Sequence, residues 1–333
     1  MDSLTQIVLG AAVGEATLGK KAGNKAPLYG AIAGTIPDMD VFVGKFTDTI
    51  TAIEWHRGFS HSIVFGVLMA PLLGYIVNKI ERKLDVGWRR WAQLFFWGLF
   101  THSVLDAFTT WGTQLFWPLE SRLAFSSIFV IDPLYTLPFL ICIITILFYK
   151  RDSKTRKRIN QAGLILSTGY LLITLVLKSY ATGKFEEALQ EQNISYNRLS
   201  IRPAPLNTIL WNANIDTRDH YLIGDYSFFD TQPVQFKAFP KHRAASKALL
   251  QRENVQRLIT ITNGWFIIEQ NNNQWYFNDL RFGLLPRKEQ SPVFVFSYLL
   301  EDTGEHVQAT EVEKTRSDAR FLVSNLWLRL KGN

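Results

Sequence analysis

Histidine is scarce in this chain of 333 residues, and three of its six histidines fall between positions 56 and 102, close to paired aspartates. Three short clusters hold them. The first is Pro37-Asp38-Met39-Asp40, in which two carboxylates one residue apart can reach a single cation from an extended turn. The second is Trp55-His56-Arg57-Gly58-Phe59-Ser60-His61-Ser62. The third is Thr101-His102-Ser103-Val104-Leu105-Asp106, where His102 and Asp106 are four apart and share one helix face. Imidazole and carboxylate together suit a divalent ion, Zn²⁺ first, with Mn²⁺ or Fe²⁺ also compatible. The competing readings are a local hydrogen-bonded His102–Asp106 pair and a capping turn at Asp38–Asp40. Arg57 and Ser60 are candidate catalytic groups beside the metal positions, since arginine grips carboxylate or phosphate oxygens bidentately. An ion pair with Glu54, or an interface role, accounts for Arg57 equally well.

The segments around these clusters are strongly apolar. Crossing a bilayer takes about 20 mostly apolar residues, and four stretches qualify: 62–78, 91–108, 128–149 and 159–180. Two earlier stretches, 3–18 and 26–36, are shorter and carry Gly10, Gly14, Gly30 and Gly34. Small residues four apart allow close helix approach in lipid, so these two are expected to form a tight helical hairpin.

Lysine and arginine set the expected orientation. Loops 19–25, 79–90 and 150–158 carry three, five and six of them, whereas the alternate loops 37–61 and 109–127 carry only Lys45, Arg57 and Arg122. The positive-inside rule puts the richer set in the cytoplasm and everything after residue 180 outside, with Trp111 and Trp117 in the outer aromatic belt. His102 then lies about 16 Å along its helix from residue 91, in the outer half. Asp38, Asp40, His56, His61, His102 and Asp106 land in one layer near the outer face. Ionisable groups at membrane depth cost a few kcal/mol unless paired, hydrated or ligated, which points to function.

Residues 183–333 read differently. Runs at 207–215, 220–228, 264–269, 274–280 and 293–300 are rich in β-branched and aromatic residues and are separated by Asn and Gly turn signals, while 243–260 looks helical. The expected architecture is an α-helical multi-pass membrane domain over 1–182, with four long helices and a short N-terminal hairpin. A small α+β or mostly-β extracytoplasmic domain follows over 183–333.

The net charge of +7 resides mainly in short loops and not on one face of a domain, which argues against a nucleic-acid partner. Cys142 is the single cysteine, so neither a disulfide framework nor a cysteine metal cluster is available. No cleavable signal peptide is expected, because Met1-Asp2 lacks a basic flank and Glu15 interrupts the first apolar stretch. Glu15 is expected to contact a neighbouring helix and Asp132 to cap the helix that starts at Pro133. His220, His242 and His306 show no ligand spacing.

The opening MDSLTQIVLGAAVGEATLG, the stretch GAIAGTIPDMD, the HRGFSHS motif and the THSVLD motif resemble those of the YdjM-like family of LexA-regulated, inner-membrane-associated metal-dependent hydrolases of bacteria. The resemblance covers residues 1–180. It implies that Asp38, Asp40, His56, His61, His102 and Asp106 are the metal-site positions. It also marks a departure: the family's opening has a histidine where this chain has Gln6, a weak ligand, so that a site relying on that position is one donor short or this subgroup uses another donor.

Two functions follow as expectations. One is a membrane-embedded metal-dependent hydrolase of the bacterial inner membrane, acting near the outer face on an ester or phosphoester of a membrane lipid or another amphiphilic substrate. The other is a membrane anchor with a structural metal and an extracytoplasmic interaction domain. A transporter, resting on Glu15 alone, has the thinnest support.

Overall fold

The Asp2 carboxylate accepts a hydrogen bond from the Thr5 amide and so starts the first helix, α1 (Ser3–Ala22), which stops at Gly23 with φ +56°. After this turn comes α2 (Lys25–Ala33), lying antiparallel against α1. The two backbones touch through the glycines marked in the sequence. A Cβ on Gly30 would sit 2.8 Å from the Gly14 Cα, closer than any side chain tolerates. This computed structural model describes residues 1–288, 290–304, 306–313 and 319–333.

The chain continues through a 3₁₀ segment (Pro37–Lys45), α3 (Thr49–Trp55), α4 (Ile63–Ile80), α5 (Trp88–Ala107), α6 (Pro133–Ile146) and α7 (Lys154–Glu191). Ser62 caps α4, accepting from the Phe65 amide. Asp132 caps α6 as expected, accepting from the amides of Leu134 and Tyr135. Helix α5 packs against α1, α2 and α4, burying Trp91, Leu94, Phe95 and Leu99.

Among the described residues, two helices, α4 and α7, are long and apolar enough to cross a membrane, and only 22% and 17% of their apolar windows are buried. The four long spans expected from the sequence are thereby reduced. Helix α6 has 14 residues, because Asp132-Pro133 delays its start, and at 1.5 Å per residue it reaches only about 21 Å. Helix α5 has 20 residues, but Arg89, Arg90, His102 and Asp106 lower its apolarity and its inner face is packed against protein.

The Lys/Arg-rich loops meet at one end of these helices. Lys25 pairs with Glu81, the Arg151 guanidinium donates to the Lys21 carbonyl (3.1 Å), and Asn24 donates to the Leu147 carbonyl (3.2 Å). Just inside that end Glu15 makes a bidentate, buried ion pair with Arg156 at 2.6 and 2.7 Å, which is the helix contact expected of it. The Asp38, His61 and Asp106 segments belong to the opposite ends of α2, α4 and α5.

Two compact units emerge. The first comprises residues 1–45, 55–176 and 205–207. The second comprises residues 46–54, 177–204 and 208–333, so a nine-residue segment from the middle of the N-terminal half belongs to it.

The second unit has two four-stranded antiparallel sheets. One runs β1 (Arg198–Pro203), β2 (Leu210–Asp216), β3 (His220–Ser227) and β4 (Phe236–Pro240) in order. The expected helix over 243–260 is split into α8 (Lys247–Leu250) and α9 (Glu253–Ile261). The second sheet, in order again, is β5 (Phe266–Asn271), β6 (Gln274–Arg287), β7 (Gln290–Asp302) and β8 (Val307–Glu311), followed by α10 (Ala319–Leu330). A two-residue turn joins β5 to β6: Asn272 and Asn273 both take positive φ, the conformation that matches strand twist in a tight hairpin. The C-terminal part of α7 packs Phe185 and Leu189 on Trp211 and Ile215 of the first sheet.

Candidate metal centre

Four residues converge from three elements. The 3₁₀ segment after α2 supplies Asp38, the turn Phe59–His61 supplies His61, and one face of α5 supplies His102 and Asp106. One donor atom from each lies within 4.8 Å of all the others. His61 Nε2 is 3.1 Å from His102 Nε2, 3.3 Å from Asp38 Oδ1 and 3.4 Å from Asp106 Oδ2. His102 Nε2 is 3.5 Å from Asp38 Oδ1 and 3.7 Å from Asp106 Oδ2. Donors bound at about 2.0–2.2 Å around one tetrahedral ion stand about 3.3–3.6 Å apart, so the cluster has the dimensions of a zinc-type site.

The far side of each ring explains how these atoms are aimed at one another. His102 Nδ1 donates to the Gly34 carbonyl at 2.7 Å, and His61 Nδ1 faces Ser60 Oγ at 2.9 Å. With Nδ1–H of His102 committed to that carbonyl, its Nε2 presents a lone pair toward His61 Nε2, a gap that a proton on His61 or a bound cation bridges. Asp106 is fully buried, and its Oδ2 has no hydrogen-bond partner among the described residues although Arg57 Nε stands 3.0 Å away out of alignment. A buried carboxylate oxygen without a donor is costly and fits a metal-facing atom.

Charge reinforces this. Burial pushes the His61 imidazole down, but the carboxylates of Asp106, Asp38 and Asp40 close around it outweigh burial and raise its pKa to about 9. Burial pushes the Asp38 carboxyl up, yet donation from His102 and His61 holds it well below the usual range. Asp40 behaves likewise, with His56 and His61 overcoming burial. This nest of carboxylates holds positive charge, as a proton on His61 or as a metal ion.

Asp40 and His56 stand outside the four-residue group, although the sequence reading placed them among the ligands. Asp40 ties the HRGFSHS turn together instead: one oxygen meets His56 Nδ1 at 2.9 Å, and the other accepts from the Arg57 amide (2.9 Å) and Ser60 Oγ (2.8 Å). Ser60 thereby links His61 Nδ1 to Asp40. Arg57 adopts φ +59°, a left-handed conformation that costs a non-glycine residue and turns its side chain inward. Its guanidinium is buried, donating to Thr109 Oγ1 at 2.8 Å and facing Asp106. Glu54, the alternative partner weighed for Arg57, pairs with Arg257.

Sequence reasoning did not anticipate the supporting groups. Gln6 Nε2 donates to Asp106 Oδ1 at 2.9 Å, and the Met1 amino group shares that oxygen, leaving Oδ2 for the cluster. The Gln6 Oε1 is buried without a partner among the described residues. Two signals pointed this way: Gln6 lies one helical turn before Gly10 on the packed face of α1, and a carbonyl just past α2 is one of those a helix end leaves unpaired. His220, His242 and His306 take no part in the cluster.

The structure thus defines a class: a helical N-terminal region, carrying a buried His/Asp cluster of metal-binding dimensions, followed by a β-sheet domain. The chain belongs to the YdjM inner membrane protein family, whose sequence model matches residues 1–183. It is also similar to the inner membrane protein YbcI of Escherichia coli (strain K12), with 35% identity over 88 residues. That match covers 26% of this chain and 49% of the relative, so the chain spans about half the length of the curated protein it matches. No solved structure matches.

Proposed function

We propose that the protein is a metal-dependent hydrolase embedded in the inner membrane, acting near the outer face on an ester or phosphoester of an amphiphilic substrate. The observation that carries this reading is the fully buried Asp106 Oδ2, without a hydrogen-bond partner among the described residues, beside His61 Nε2 and His102 Nε2, which stand 3.1 Å apart. A divalent ion held by Asp38, His61, His102 and Asp106 would supply an activated water and an electrophilic contact to the scissile group. Asp38 is the only one of the four with an exposed side chain, 24% against zero for the others, so substrate and water enter on its side. Asp38 is also the candidate general base, being the carboxylate nearest that entry. Ser60 and Asp40 hold His61 in one tautomer. Arg57 neutralises Asp106 from inside the protein, a different task from gripping substrate phosphate.

The contacts among loops 19–25, 79–90 and 150–158 support a multi-pass topology with those loops in the cytoplasm, the cluster at the outer end of the helices, and residues 181–333 extracytoplasmic. A structural metal is the second reading, favoured by the complete burial of three of the four donors.

The test is metal content by elemental mass spectrometry on detergent-purified protein, beside a His61→Ala, His102→Ala variant, followed by turnover of phospholipids and model phosphoesters. About one equivalent of metal in the parent and little in the variant, with turnover in the parent alone, establishes the enzyme. Bound metal without turnover, together with a sharply lower melting temperature in the variant, favours the structural role. A folded parent that takes up no metal even after reloading removes both.

A further inference from the structure

The loop joining the first two ligand clusters has its base in one unit and its tip in the other. Its base is closed by Asp40, which accepts from the Arg57 amide at 2.9 Å and meets His56 at 2.9 Å. Its tip, residues 46–54, belongs to the C-terminal unit. The sequence of α3 explains the arrangement. Ile50 and Ile53 are three apart and form one face; Ile50 is 1% exposed in a cluster with Leu249, Val255, Leu258, Ile268 and Phe277. Thr51 and Glu54, also three apart, form the neighbouring face and are both held by Arg257 of α9. Arg257 makes a bidentate pair with Glu54, at 2.9 and 2.6 Å, and donates to Thr51 Oγ1 at 2.9 Å. Asp48 starts the helix by accepting from the amides of Ile50 and Thr51. An ordinary surface loop would not place a fully buried isoleucine and a three-point arginine clamp at its tip.

We infer that the C-terminal unit sets the geometry of the His/Asp cluster through segment 46–54, with Arg257, Glu54 and Ile50 acting as positioning residues. Only one residue, Trp55, separates Glu54 from His56, and the Asp38–Asp40 segment runs on to Lys45 just before the tip. Displacing the tip therefore pulls on Asp40, which orients His61 through Ser60. This gives the β-sheet unit a task in the site without supplying a ligand to it. The inference deepens the metal-centre reading, but its mechanical part stands apart from whether a metal is bound.

The experiment uses full-length protein in detergent and the variants Arg257→Ala, Ile50→Ala and the charge swap Glu54→Arg with Arg257→Glu. Hydrogen–deuterium exchange is read over 37–61, with strands β2 and β6 as an unfolding control, and zinc affinity is read by competition with a chromophoric chelator. Arg257→Ala should raise exchange not only at 46–54 but also at the Arg57 amide, and should weaken zinc binding about threefold, since the pair is partly exposed. Ile50→Ala removes buried contacts and should weaken it about tenfold or more. The charge swap should restore both readouts toward the parent. Faster exchange confined to 46–54, with Arg57 protection and zinc affinity at parental values, overturns the inference, as does a charge swap no better than Arg257→Ala. A parent without zinc affinity sinks the metal reading alone, and the Arg57 amide then decides the coupling.

Discussion

Replacing Asp106 by asparagine changes one atom at the centre of the cluster, and the structure allows its cost to be worked out. Asp106 is fully buried, takes Gln6 Nε2 at 2.9 Å on Oδ1 and faces Arg57 Nε at 3.0 Å with Oδ2. Arg57 is itself buried, and its other side-chain partner is Thr109. The asparagine keeps the shape and the Gln6 contact but leaves a guanidinium with no counter-charge. Breaking a buried pair from one side costs about 3–5 kcal/mol, and at about 2–4 °C per kcal/mol for a unit of this size the melting temperature should fall about 6–20 °C. Metal content should fall with it, since Oδ2 is one of the four donor atoms. The companion double variant, Asp106→Leu with Arg57→Met, removes this pair of charges together and should recover part of the lost stability, the Met1 amino group and Gln6 still losing their partner, while binding no metal. Thermal unfolding in detergent and elemental analysis give the two readouts. An Asp106→Asn protein that melts within about 2 °C of the parent and keeps its metal would refute both the pairing and the ligand assignment.

Two further outcomes follow from the same geometry. His61 in the metal-free protein has its pKa raised to about 9, so binding a metal must expel that proton; apparent affinity should rise about tenfold per pH unit up to that value and then level off. The raised pKa also means that the stability His61 contributes without metal is complete below its unfolded value of about 6.5 and is lost as pH climbs through the folded one, so the chelated protein should melt lower at alkaline than at neutral pH. Away from the site, Glu15→Ala strands the buried Arg156 guanidinium, which should cost about 3–5 kcal/mol in thermal unfolding while metal stoichiometry stays at the parental value.

Much of the N-terminal half was legible because its signals are local. Helical spacing alone put His102 and Asp106 on one face of α5, and the four-residue glycine spacing of α1 and α2 announced a close hairpin whose backbones do touch. Enrichment in β-branched and aromatic residues between Asn/Gly turns marked strands β2, β3, β5, β6 and β7 for the same reason, since strand composition and turn chemistry are written within a few residues. Helix length was harder. Residues 128–131 are as apolar as a span requires, yet Asp132 and Pro133 form a cap and first turn and leave α6 at 14 residues.

Direction and distance in sequence were left to the tertiary structure. Six residues read alike as ligands; the structure gathers Asp38, His61, His102 and Asp106 within 4.8 Å, while Asp40 bonds His56 and Ser60 beside them. Gln6 and the Gly34 carbonyl became parts of the site because α1 and α2 pack on α5, a pairing that no local pattern encodes. Nothing within residues 46–54 announces that Ile50 would lie in the core of a unit built some two hundred residues later, with Glu54 held by Arg257. Local sequence determines which groups a short element can present. Which of them meet depends on packing between distant segments, where the energy of burying a charge or an isoleucine is decided by partners far along the chain.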